Sequence, residues 1–130
     1  QFNEGPDNLI QLETTYLIIE CKNETIMNEI CKSDSAQLNE SISWFKRKYG
    51  ENLKVVPVMI HNSNIFSKQS APSSNTKIIT PQLLESLKTN IKNFLISISS
   101  NFQNLNKILQ GSKINENGII SILGEYSINN

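Results

Sequence analysis

Two short runs in this sequence could do chemistry together. Pro6-Asp7 stands near the start, and Glu20-Cys21-Lys22 follows with twelve residues between the two acids. The second run closes the apolar stretch Tyr16-Leu17-Ile18-Ile19, which reads as a core strand. Strand side chains alternate, so Tyr16, Ile18, Glu20 and Lys22 share one face and Leu17, Ile19 and Cys21 the other. Glu20 and Lys22 are therefore expected to leave the core together on one face. A charged pair there needs a reason, because an unpaired buried charge costs several kcal/mol. If the strands carrying Asp7 and Glu20 form a hairpin, the start of the first lies beside the end of the second. The two carboxylates then converge and can hold Mg²⁺ or Mn²⁺ through oxygen, with the backbone carbonyl of Cys21 as a further ligand. A cation so held lowers the pKa of a water. Lys22 can orient or deprotonate that water, or stabilise charge growing on a phosphate.

The elements that must position these groups are legible in outline. Residues 8–13 read as a first strand after a Gly5-Pro6 turn, and residues 16–22 as a second, with Glu13-Thr14-Thr15 turning the chain between them. Residues 25–32 read as a loop or a short helical turn. Ser33-Asp34-Ser35 offers side chains that cap a helix. Leu38, Ile42, Phe45 and Tyr49 then form one helical stripe that Gly50 stops. Residues 54–61 form a third strand, in which Pro57 lacks a ladder donor and predicts an edge or a bulge. The polar run 62–75 predicts a loop, and residues 77–79 a short strand. Thr80 caps a helix that starts at Pro81. Its apolar face, Leu84, Leu87, Ile91, Phe94, Leu95 and Ile98, reads as packing. Phe102, Leu105, Ile108 and Leu109 suggest a second helical segment ending at Gly111, and residues 117–126 a final short helix. The pattern is α/β: two strands, a helix, two strands, then helices.

Pro6-Asp7 followed by Glu20-Cys21-Lys22 resembles the PD-(D/E)xK nuclease family, over residues 5–62. The resemblance implies a restriction-endonuclease-like mixed sheet flanked by helices and a metal-dependent phosphodiesterase acting on DNA or RNA. It makes Asp7 and Glu20 metal ligands and Lys22 the catalytic lysine. Family members place a polar residue early in the next helix, facing the site. Here that position falls to Gln37, with Trp44 two turns later on a similar face. The wider segment is similar to nuclease domains attached to bacterial helicases and antiphage defence proteins, which implies nucleic acid as partner, DNA before RNA, and an upstream helicase or other domain. The family core has a helix and a strand before the Pro-Asp strand, and only five residues precede Pro6 here. The expectation is a single domain over 1–130, with its core at 5–80 and a helical segment at 81–130. The N-terminal part of the core is expected to be missing, in a fragment of a longer protein or one that a partner completes. The alternative is the same fold kept as a catalytically inactive module for nucleic-acid binding or protein assembly.

Bulk composition constrains the rest. The 130 residues suffice for one core. Twelve basic and twelve acidic side chains give zero formal charge, so contact with nucleic acid must come from a local patch. Lys46, Arg47 and Lys48 could supply it, although cations also suit a helix C-terminus. Cys21 and Cys31 are expected as free thiols of a reduced, cytoplasmic protein, with Cys21 a core residue rather than a nucleophile. No apolar run is long enough to cross a membrane. His61 closes the third strand. A lone histidine there is more often a hydrogen-bonded structural residue than a general base. No Gly-rich phosphate loop or serine triad order is present.

Overall fold

A computed structural model describes residues 5–22, 27–100 and 116–130. The element order is β1 (Asn8–Gln11), β2 (Thr15–Cys21), α1 (Lys32–Tyr49), β3 (Lys54–Ile60), β4 (Ile65–Phe66), β5 (Lys77–Ile79), α2 (Pro81–Ser100), α3 (Glu116–Ser121) and β6 (Ser127–Ile128). The main sheet has the order β1-β2-β3-β5. β1 runs antiparallel to β2, while β2, β3 and β5 are mutually parallel, so the sheet is mixed. Three helices flank it among the described residues. The expected helical segment at Phe102–Leu109 lies outside the described residues, as do the first two residues of the 25–32 stretch.

The alternation in β2 and β3 builds two cores. Leu17, Ile19, Val56, Val58 and Ile79 face one side, where Leu83 and Leu87 of α2 and Ile120 of α3 cover them together with Leu123. Met59 and Ile78 face the other, where Leu38 of α1, Ile30 and Phe66 cover them. Both faces of the sheet are thus closed over β2 and β3, while β1 is exposed, which is why β2 and β3 read as apolar runs rather than as strict alternations.

Several boundaries move from their expected places. α1 begins at Lys32, with Cys31 in extended geometry at its N-cap and no side-chain cap. Ser33, Asp34 and Ser35 therefore lie in the first turn and do not cap it. The helix does stop at Gly50, at φ 136°, whose N–H reaches the Lys46 carbonyl at 2.9 Å. Along α1 the buried side chains are Ser35, Leu38, Ser41 and Phe45, whereas Tyr49 is exposed. Pro57 sits in a strand flanked on both sides, yet at a local edge. Lys22 N–H donates to Ile60 O and His61 N–H to Ile79 O, so alternate β3 residues turn toward β5, and Pro57 is one of these. β5 begins opposite Val58, one step too late to need the missing donor. Asn75 Nδ2 instead reaches the Val55 carbonyl at 2.8 Å.

The 62–75 run is not all loop. Ile65–Phe66 pairs in parallel with Ser127–Ile128, and Phe66 is fully buried against Tyr126. The last helix ends at Ser121, because Gly124 exchanges two backbone hydrogen bonds with Ile78 and the chain then enters β6. On α2, Thr80 caps as expected, its Oγ1 accepting Leu83 N–H at 3.3 Å. The sheet beneath spans only the first turns, so Leu83 and Leu87 pack while Leu84, Ile91 and Leu95 are exposed. The side chains of Phe94 and Ile98 lie outside the described residues.

Candidate active site

The hairpin register decides what meets what. Asn8 pairs with Ile19 and Leu9 with Ile18, so one step further Asp7 comes opposite Glu20. Asp7 Oδ2 accepts the Cys21 N–H at 2.8 Å, which pins the aspartate to the end of β2. Gly5 delivers the chain to this point at φ 108°, a conformation that strains any side chain-bearing residue. A Cβ there would also lie 3.1 Å from the Trp44 ring, so α1 supports the turn from below.

Glu20 does not leave the core. It is 1% exposed, beneath α1. Ser41 Oγ donates to Glu20 Oε1, and Oε2 has no hydrogen-bond donor. The Asp7 carboxylate stands within hydrogen-bonding reach, but two carboxylates can bond only if one holds a proton. Burial raises the Glu20 pKa, the Ser41 hydroxyl opposes that, and the neighbouring Asp7 raises it again. The site thus forces negative charge into a place that disfavours it.

Lys22 lies on the same face, one strand repeat beyond Glu20. Its ammonium donates to Gln37 Oε1 at 2.5 Å and pairs with Asp34 Oδ1 at 3.5 Å. α1 runs antiparallel to β2, so its first turns meet Lys22, Ser41 meets Glu20, and Phe45 meets Tyr16 with ring centroids 5.0 Å apart. Asp34 and Ser41 were missed in the sequence. Both were findable from Gln37, because Asp34 lies three positions before it and Ser41 four after it, on one helical face.

Cys21 turns the other way and packs on the α2 side of the sheet. Burial, then Asp7 and Glu20, raise its thiol pKa, so it stays protonated and is a poor nucleophile. Both described cysteines are free. His61 is 2% exposed. Its Nδ1 accepts Ser63 N–H at 2.9 Å, which places the proton on Nε2, where it has no acceptor. Of the basic run, Arg47 pairs with Glu40 at 2.9 Å and Lys48 lies over the Trp44 ring at 4.8 Å.

The orphaned Glu20 oxygen and the carboxylate opposite it are the acidic groups here that could hold a divalent cation. Among the described residues no group of three or more His, Cys, Asp or Glu converges. A cation here would have two carboxylates as its acidic ligands, a number Mg²⁺ commonly takes, with water and substrate phosphate completing its shell. The site also lies at the carboxyl ends of parallel β2 and β3, where open α/β sheets bind ligands. No helix among the described residues is long and apolar enough to cross a membrane. No family model matches the chain, and no curated protein or solved structure matches it either.

Proposed function

We propose that this chain is a metal-dependent nuclease of restriction-endonuclease-like fold, hydrolysing phosphodiester bonds of DNA in preference to RNA. The observation that carries the reading is the convergence of Asp7 with Glu20, a buried carboxylate with an unpartnered oxygen, beside Lys22 on the same sheet face. Acids this close raise each other's energy and call for a cation. Asp7, Glu20 and the Cys21 backbone carbonyl would hold Mg²⁺ or Mn²⁺. When bound, such an ion offsets phosphate charge and lowers the pKa of water. Lys22 retains one N–H group beyond those turned to Gln37 and Asp34, and this one would orient water or stabilise charge on the phosphate. Gln37 keeps the lysine side chain in place. Ser41 fixes one Glu20 oxygen and leaves the other without a hydrogen-bond donor, so that it would be the one to hold a cation.

The test is cleavage of supercoiled DNA and of single-stranded RNA, with Mg²⁺, with Mn²⁺ and with chelator. Cleavage is expected with either metal, lost with chelator, lost in Asp7→Asn and Glu20→Gln, and reduced to a small residual rate in Lys22→Ala. Activity surviving in all three variants would overturn the site. Tight binding of DNA without cleavage under every condition would instead support a non-cleaving binding module.

A further inference from the structure

The clamp on Lys22 is more elaborate than a surface ion pair. The Lys22 and Asp34 side chains are only 19% and 18% exposed, and Gln37 holds the same ammonium. An exposed lysine keeps its rotamer freedom, and holding it costs side-chain entropy. Here two side chains of one rigid helical turn hold it at once, three positions apart on α1. α1 is itself fixed to β2 at two further places, Ser41 on Glu20 and Phe45 on Tyr16. The position of the ammonium is thus tied to that of the Glu20 carboxylate through one helix.

The geometry points to Asp34 as the positioning residue for Lys22, acting with Gln37 to hold the ammonium at a fixed place beside the two carboxylates. Its catalytic meaning rests on the nuclease reading above. Asp34 supplies the charge and Gln37 the oriented acceptor, and the lysine keeps the third of its three N–H groups for a phosphate. Asp34 touches neither substrate nor cation in this scheme. It acts through Lys22, so its removal matters only while Lys22 is present.

Two measurements test this, one of which needs no cleavage. In the first, the full chain is acetylated with a lysine-selective ester, and labelling of Lys22 is compared with that of exposed Lys68 by peptide mass spectrometry. Lys22 is expected to react more slowly than Lys68. Asp34→Asn should speed Lys22 labelling about fivefold, as loss of an ion pair allows, and Asp34→Glu should restore protection. Unchanged labelling in Asp34→Asn would overturn the clamp, whatever the enzyme does. In the second, single-turnover cleavage is followed in a double-mutant cycle. Asp34→Asn should slow cleavage about ten- to hundredfold, as loss of a supporting partner does, with DNA affinity in Ca²⁺ unchanged. In a Lys22→Ala background it should add nothing. An equal loss in both backgrounds would show that Asp34 acts elsewhere and overturn the proposal. If the wild-type chain cleaves nothing, the nuclease reading falls, while the labelling result still decides whether Asp34 positions Lys22.

Discussion

Glu20→Gln should make the metal-free protein more stable while abolishing cleavage. In the native chain a carboxylate is 1% exposed, holds one donor from Ser41, leaves Oε2 unpartnered and faces Asp7. An orphaned buried polar atom costs about 1–3 kcal/mol, more if charged. The amide keeps an oxygen for Ser41 Oγ and turns an N–H donor toward Asp7, converting repulsion into a hydrogen bond. A gain of about 1–3 kcal/mol at pH 8 follows, or roughly 4–12 °C in Tm for a chain of this size.

The pH dependence supplies the control. Glu20 has a folded-state pKa raised above its ordinary value, by burial first and then by Asp7. Such an acid contributes fully to stability below its unfolded pKa, and that contribution is lost as pH rises through the folded value. The advantage of Glu20→Gln should therefore be largest at alkaline pH and shrink in acid, where protonated Glu20 can itself donate to Asp7. Chemical denaturation in chelator at pH 8 and pH 4.5 measures this. Adding Mg²⁺ should reverse the order, since saturation at 100 times its Kd stabilises the wild type by about 2.7 kcal/mol and the variant little. A variant no more stable than wild type at pH 8 in chelator would refute the argument, and would make Glu20 an ordinary structural acceptor.

Ser41→Ala should destabilise the fold by about 1–3 kcal/mol, more at pH 8 than at pH 4.5, because it removes the donor on Glu20 Oε1; urea titration at the two pH values checks it. Gly5→Ala should cost about 1–3 kcal/mol, since φ 108° and the Trp44 ring both oppose a Cβ. It should also displace Asp7 and lower cleavage, and Trp44, the sole tryptophan, should report the shift in fluorescence. Phe66→Ala should cost about 3–5 kcal/mol, because Phe66 is fully buried against Ile30 and Tyr126. Activity per folded molecule should survive it, as thermal melts paired with cleavage assays would show.

How much of this was legible depended on the range of the signal. β2 and β3 announce themselves through local apolar runs, and the β1–β2 hairpin through its short turn, so the meeting of Asp7 and Glu20 could be read from spacing and alternation. The β4–β6 pairing could not. Ile65-Phe66 sits in a polar stretch, and its partner lies near the end of the chain. Only tertiary contact makes those residues a strand. Asp34 was legible as a residue but not in its role, because an aspartate at a helix start suits a cap as well as a lysine partner. The exposed stripe of α2 misled for a related reason. Periodicity shows that a helix has an apolar face, not how much sheet lies beneath it.

Glu20 shows where local reading fails for a physical reason rather than for want of range. Alternation correctly placed it on the face of Ile18. Charge then argued that this face must open to solvent, and α1 instead closes over it, with only Ser41 answering the carboxylate. A sequence selected for stability alone would place an apolar residue or a second donor there. Rule-breaking positions of this kind concentrate at working sites, where the cost is retained because a ligand removes it. The unpartnered oxygen is thus the feature that most separates a site from a strand end. Whether a cation relieves it is a question of binding free energy, and the stability of Glu20→Gln with and without Mg²⁺ answers it directly.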